Sequence, residues 1–349
     1  MNVLVAMSGG VDSSAAAAIC KAQGHDVAGV TLKLWGGPSD QGCCSVADVD
    51  DARRVAGQLG IDHHVFNMTE AFDALVVDPY VASHRAGLTP NPCIECNRHL
   101  KFDALLDATR RLGFDALATG HHARIERSGG VATLHRGVDA AKDQSYVLSM
   151  LTQAQLATLL LPVGEMTKAE VRALAGEVGL RTAQKPESQD TCFIESSGGR
   201  KAFLAERTTL AVGSIVDDAT GAVVGSVEDL ELVTVGQRKR LGVDDEGRRR
   251  VAVAIDVTRR EVRVASPDAA AISELALDPA TLTWVNTSVA SGTPVLAQLR
   301  SHGEAAAAIF LGDRLVFSPW IGPVAPGQTA ALYDPSDPTS VLGSAVVAR

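Results

Sequence analysis

The sequence predicts an α/β domain built on a parallel sheet, followed by two β-rich domains. Two observations carry this. From residue 1 to about 120, apolar strand-like runs alternate with helix-like runs, the grammar of a sheet covered by helices on both faces. From about residue 205 the apolar runs become short, β-branched and punctuated by Gly and Asp. A chain of 349 residues is long enough for two or three separate cores. The expected boundaries are 1–204, 205–266 and 267–349, with the stretch Ser266 to Pro279 dividing the two β domains.

The elements follow in order. Val3-Leu4-Val5-Ala6 reads as a strand, Met7 to Ser14 as a glycine turn, and Ala15 to Cys20 as the helix behind it. After the helix stop at Gly24, Val27 to Leu34 is a second strand. Ala47 to Leu59 is a helix ended by Gly60, and His64 to Phe66 is a short third strand. From Ile94, apolar positions at Phe102, Leu105, Leu106, Thr109 and Leu112 keep near-helical spacing up to Gly113. Ala116 to Thr119 is a strand that ends in Gly120-His121-His122, and ligands collect at such strand ends. Gln153 to Leu160 and Lys168 to Val178 read as helices, the second capped by Thr167 and stopped by Gly179. Beyond 205, strands are expected at 213–216, 230–235, 251–257 and 262–264, then at 294–299, 306–311, 315–318 and 330–333.

The run Met7-Ser8-Gly9-Gly10-Val11-Asp12-Ser13-Ser14 has the ingredients of an anion site. Paired glycines admit close backbone approach, serines add hydroxyl donors, and the helix N-terminus adds partial positive charge. No lysine follows the glycines, so it is not the Gly-Lys-Ser/Thr phosphate loop, and it lacks the three spaced glycines of a dinucleotide fingerprint. The order Ser-Gly-Gly-x-Asp-Ser resembles the pyrophosphate loop of the ATP pyrophosphatases, which split ATP into AMP and pyrophosphate. That resemblance implies that Ser8 to Ser13 hold pyrophosphate and that Asp12 helps place Mg²⁺.

A formal charge of −9 argues against a protein that coats nucleic acid indiscriminately, while leaving room for a local basic face. No signal peptide and no long apolar run is read, so the expectation is a cytoplasmic chain with no membrane contact. Six cysteines in that setting suggest thiols with a chemical task rather than a disulfide framework. Cys93 and Cys96 lie three apart where Pro92 can open a helix, one face of its first turns, and a helix N-terminus lowers a thiol's pKa. A redox pair, a structural zinc site, a catalytic cysteine partnered by distant Cys192, and an iron–sulfur cluster held by Cys93, Cys96 and Cys192 are the competing readings. Zinc is disfavoured by the absence of a second Cys-x-x-Cys. Cys20 reads as a buried small hydrophobe, and Cys43-Cys44 admits either role.

Six landmarks in order resemble the bacterial tRNA-specific 2-thiouridylase family nearly end to end. They are 8–14, Asn91-Pro92 with Cys96-Asn97, Thr119-Gly120-His121, Lys142-Asp143-Gln144-Ser145-Tyr146, 188–193, and Gly236-Gln237-Arg238-Lys239. The resemblance implies a last domain that is a β-barrel, and insertion of sulfur at C2 of a wobble uridine in tRNA, dependent on ATP and Mg²⁺. A cysteine desulfurase or sulfur-relay protein would be the donor. It also implies that Ala6, Met7, Ser8, Gly9, Gly10, Val11, Asp12, Ser13, Leu32 and Gly120 contact ATP. Cys192 would carry a persulfide and Cys96 would be the second catalytic cysteine, alongside Asp12. Asn91, Pro92, Cys93, His121, Lys142, Asp143, Gln144, Arg300 and Gln328 would contact tRNA. The family most often has Asp where this chain has Cys93, and a third cysteine raises the prospect of a [4Fe-4S] cluster. Ser301 and His302 replace a usual aromatic and a second arginine, which weakens expected base stacking. The basic runs 238–240 and 248–250 read equally as solvated faces or phosphate contacts. Rival readings are an adenylating ligase with a nitrogen nucleophile and a non-catalytic RNA-binding relative.

Overall fold

The computed structural model describes residues 1–34, 46–186, 192–195 and 198–349. The expected Cys43-Cys44 pair and most of the 188–193 landmark lie outside these residues. Of Cys192 only the backbone is described, opening the helical turn Cys192–Glu195.

The N-terminal sheet contains β1 (Asn2–Ala6), β2 (Asp26–Lys33), β3 (Asp62–Asn67) and β4 (Ala116–Thr119). A hairpin, β5 (Ala123–Ser128) and β6 (Val131–Arg136), follows, and then the short β7 (Leu159–Leu160). The sheet is parallel with strand order β3-β2-β1-β4-β7. Strand alternation feeds two cores. Leu4, Val30 and Leu117 face one, while Val3, Val5 and Ala118 face the other, which is why both sides need helices. The helix Val11–Ala22 presses Ala15, Ala16, Ala17 and Cys20 flat against the second core. The chain runs outward through β1, β2 and β3 and then returns to the far side of β1 at β4. The switch point therefore lies between β1 and β4, where an open parallel sheet leaves a crevice.

The β-rich part forms two further sheets among the described residues. The smaller contains β8 (Gly213–Asp217), β9 (Val223–Val227), β10 (Val251–Asp256) and β11 (Glu261–Ala265), ordered β10-β11-β8-β9. The larger contains β12 (Ile272–Trp284), β13 (Thr293–Gln298), β14 (Ala306–Phe310), β15 (Arg314–Ile321), β16 (Thr329–Tyr333) and β17 (Ser340–Val347). Pairing of β12 with β17 closes these six strands into a barrel, the architecture the resemblance implied. Its interior holds Leu275, Leu277, Val295, Phe310, Leu315 and Phe317.

Several sequence expectations are corrected. The stretch Ser266 to Pro279 does not simply divide domains: β12 runs through it, because Leu275 and Leu277 alternate inward at strand period. The expected helix Gln153 to Leu160 stops at Leu156, since Leu159 and Leu160 pair with Leu117 and Ala118 along the open edge of β4. Leu230 to Val235 contains a 3₁₀ turn, Leu230–Leu232, that plugs the small sheet's core with Leu230. The hairpin β5–β6 escaped the sequence reading. It leaves the N-terminal unit and joins the barrel sheet, His135 and Leu134 pairing with Ser340 and Val341.

Candidate active site

The loop between β1 and the helix Val11–Ala22 stands at the switch point. Gly9 is left-handed, with φ of 73°, and a Cβ there would meet the Asp48 carbonyl. Gly120, at the end of β4, approaches the helix start so closely that a Cβ would lie 2.5 Å from the Ser13 amide nitrogen. The loop is knitted by its serines: the Ser8 amide donates to Ser13 Oγ at 3.1 Å, and the Ser14 hydroxyl to the Gly10 carbonyl at 2.8 Å.

These residues wall a cavity of about 280 Å³. Ala6, Met7, Ser8, Gly10, Val11, Asp12, Ser13, Leu32 and Gly120, all expected to contact ATP, line it; Gly9 lies behind, against Asp48. Apolar Val30, Leu32 and Leu34 form one wall, suited to a planar ring, and the loop amides and hydroxyls form the other.

The missing lysine of the loop is replaced from distant parts of the chain. Lys101, Lys142, Lys168 and Lys185 all line this cavity. Lys168 Nζ donates to both Asp12 oxygens at 2.8 and 2.7 Å. Lys185 Nζ ties the Gly9 carbonyl, at 3.0 Å, to Asp48 and Asp51, at 2.8 and 2.7 Å. His122 Nε2 lies 3.1 Å from Asp12 Oδ1. Burial pushes the Asp12 carboxyl up, but the hydrogen bonds from His122 and Lys168 outweigh it and hold it below the ordinary carboxylate range. Sequence reasoning missed Lys101, His122, Lys168 and Lys185. A trace was present for Lys168, a cation at the first position of a helix, where the dipole disfavours it.

His121 is buried, its Nδ1 2.8 Å from Thr119 Oγ1 and its ring tilted on Phe102. Burial, with Lys101 and His122 beside it, holds its pKa well below the usual histidine range against the opposing pull of Asp12. Asp143 is spent inside the protein, whereas Gln144 lines the cavity. Asp143 pairs with Arg136 at 2.7 Å and accepts from the Gly137 and Ser145 amides. Gln144 Oε1 accepts from the His122 amide at 2.9 Å.

The expected helix after Pro92 is present as Pro92–Glu95, a π-helical stretch Cys96–Ala104, and Leu105–Arg111. Asn91 caps it, accepting from the Cys93 amide at 3.1 Å. Cys93 and Cys96 are both half-buried. Asn97 is buried and its Oδ1 has no hydrogen-bond partner among the described residues. Five residues past Cys96, Lys101 reaches the cavity, so one helix joins the cysteines to the loop. Phe193, next to Cys192, packs edge-on against Tyr80 at 5.7 Å. The Cys192 side chain, and with it any three-cysteine set, lies outside what is described.

Gln328 Nε2 donates to the Thr89 carbonyl at 2.5 Å, and the Thr89 amide to the Pro326 carbonyl at 2.8 Å. The barrel thus grips the segment leading to Asn91. Arg300 is exposed and lines a separate cleft of about 1320 Å³ with Arg200, Arg238, Lys239, Arg240 and Arg249. Arg248 is instead neutralised by Asp244, Glu246 and Asp268. Among the described residues no helix is long and apolar enough to cross a membrane.

Residues 1–196 match the family model described as tRNA methyl transferase HUP domain. Across the whole chain, it is 45% identical to the tRNA-specific 2-thiouridylase MnmA of Mycolicibacterium paratuberculosis over 363 residues, covering 99% of that protein. The protein of the same name from Salinispora arenicola is 44% identical, with 100% and 99% covered. Two solved structures are more distant relatives. A 4-thiouridine synthetase in complex with RNA and ATP is 18% identical, TM-score 0.36, covering 57% of this chain and 46% of that one. The U34-tRNA thiolase NcsA of Methanococcus maripaludis with its [4Fe-4S] cluster is 16% identical, TM-score 0.36, covering 59% and 63%. Likeness at that level carries no argument about chemistry.

Proposed function

Because the chain belongs to the tRNA-specific 2-thiouridylase family, sulfurtransferases acting on tRNA, we propose that it adenylates the C2 carbonyl of a wobble uridine and replaces that oxygen with sulfur. The observation that supports this most is the shared wall: the helix that starts with Cys93 and Cys96 also delivers Lys101 to the cavity of the Ser8–Ser13 loop.

Uracil oxygen is a poor leaving group. Attack of O2 on the ATP α-phosphorus breaks the α–β anhydride, releases pyrophosphate and leaves AMP as the leaving group at C2. Gly10, Ser8 and Ser13 suit the phosphates; Val30, Leu32 and Leu34 suit the adenine. Mg²⁺ is held by one or two carboxylates together with phosphates, a role that Asp12 fits. Sulfur would then arrive as a persulfide on Cys192, its terminal sulfur attacking C2 and expelling AMP. Cys96 would next attack the Cys192 sulfur, freeing the thiocarbonyl and leaving a Cys96–Cys192 disulfide for an external thiol to reduce. The alternative use of the same thiols is a [4Fe-4S] cluster held by Cys93, Cys96 and Cys192 with one iron open, in which case Cys96 and Cys192 would be ligands and would form neither persulfide nor disulfide.

Asn91, Pro92, Cys93, His121 and Lys142 would surround the flipped base. Arg300 and Gln328 would engage the anticodon arm from the barrel, with 1–204 as the catalytic unit and 205–266 and 267–349 as the clasp. A cytoplasmic setting and a cysteine desulfurase or sulfur-relay partner complete the reading. The test is ATP-dependent thiolation of unmodified tRNA with a desulfurase and cysteine as sulfur source. Cys96→Ser and Cys192→Ser are each expected to abolish product while tRNA-dependent pyrophosphate release continues. Full thiolation by both variants would refute the cysteine roles.

A further inference from the structure

Four lysines line the cavity, and they are not equivalent. Lys185 is a strut: its ammonium is divided among the Gly9 carbonyl, Asp48 and Asp51. Lys168 is placed differently. It is the first residue of the helix Lys168–Glu177, whose start is fixed by a capping box between Thr167 and Glu170. Its own amide donates to Asp139 Oδ2 at 2.9 Å, so the backbone is anchored on two sides. The side chain is only 12% exposed and ends on Asp12, in the first turn of the helix behind the glycine loop.

The ammonium therefore sits where two helix N-termini converge, each of which disfavours a cation. Asp12, shared with His122, offsets that charge. His122, which lines the cavity, is 3% exposed, and its buried Nδ1 has no hydrogen-bond partner among the described residues. A preorganised cation, an orphaned buried nitrogen and two helix N-termini around one cavity are an arrangement completed by an incoming polyanion.

We propose that Lys168 is a catalytic residue that binds the pyrophosphate leaving group of ATP, its ammonium passing from Asp12 to the β- and γ-phosphate oxygens as the nucleotide enters. This rests on the adenylation reading and names the group that stabilises the departing charge. No proton need move: as the α–β anhydride breaks, the electron pair stays on the bridging oxygen of pyrophosphate, and the ammonium donates a charge-assisted hydrogen bond to it.

Binding of ATP, pyrophosphate and AMP to the full chain is measured by titration calorimetry for wild type, Lys168→Met and Lys168→Arg. Lys168→Met is expected to weaken ATP and pyrophosphate by about tenfold or more while AMP stays within about threefold, and Lys168→Arg to recover most of the loss. Equal weakening of all three ligands, or unchanged pyrophosphate affinity, overturns the assignment, since a purely structural ion pair makes no distinction among them. On wild-type protein, lysine acetylation read by mass spectrometry supplies a test that needs no variant. Lys168 is expected to be shielded by pyrophosphate and not by AMP, and shielding by neither overturns the proposal. A wild-type chain that binds neither ATP nor pyrophosphate would remove the adenylation reading as well. Normal wild-type binding with an unimpaired Lys168→Met removes only Lys168.

Discussion

The two basic recesses are built on opposite plans. In the loop cavity, lysines are paired with carboxylates and held by caps, struts and a strand-end glycine, within a space of about 280 Å³. In the cleft of about 1320 Å³, Arg238, Lys239, Arg240, Arg249 and Arg300 stand exposed outside the named strands and helices, and Asp229 is taken up by Lys201 at 2.6 Å. Small ligands reward fixed geometry, whereas a long polyanion rewards charge density on adaptable side chains. One chain of net charge −9 thus carries both kinds of anion site, because each depends on local arrangement rather than on total charge.

The contrast breaks first at Gly120. Gly120→Ala puts a methyl against the Ser13 and Asp12 backbone, which cannot give as a flexible side chain could. The expected cost is about 3 kcal/mol of stability, with loss of nucleotide binding, read by urea unfolding and calorimetry. Lys185→Met removes the cation that Asp48 and Asp51 share, while Arg181 stays 3.4 Å from Asp51. A loss of about 2 kcal/mol and weaker ATP binding are expected, with tRNA binding unchanged. On the other side of the comparison, Arg300→Ala should leave ATP binding and stability intact. It should weaken tRNA binding by about 1 kcal/mol and lower the salt slope by about one, and an unchanged slope would remove Arg300 from the interface.

The smallest effect concerns pH. Burial depresses His84 to about 4, against the raising influence of its bond to the Glu231 carbonyl. A histidine bound neutral in the fold contributes stability that is full above about 6.5 and is lost as pH falls toward about 4, because the unfolded chain takes up the proton first. Urea midpoints of wild type should fall over that window, and His84→Asn should flatten the fall.

Much of the fold was legible because its signals are local. The run 3–6, the glycines at 9 and 10, and Thr167 before Lys168 each declare their element within a few residues, and the structure places each where periodicity puts it. What was not legible depends on partners far away in sequence. The hairpin β5–β6 makes sense only beside β17, and Leu159 forms a strand only because β4 has an open edge. The site divides the same way. Ser8 to Ser13 could be read directly, but Lys168 and Lys185 meet the loop from more than 150 residues away. Asp143 shows the reverse limit: a polar residue in a landmark looked available to RNA, yet its side chain holds Arg136.

The hairpin also bears on how the chain can be cut. A fragment ending at residue 204 would carry β5 and β6 without β17, exposing the ladder edge at Leu134 and His135 and uncovering Tyr146, whose hydroxyl donates to the Thr329 carbonyl. Such a fragment would be sticky and poorly soluble, however complete its glycine loop. The boundary that matters for expression and for inheritance of the activity is therefore not the one drawn along the sequence. The N-terminal unit and the barrel are tied by a strand ladder, and they are expected to travel, fold and fail together.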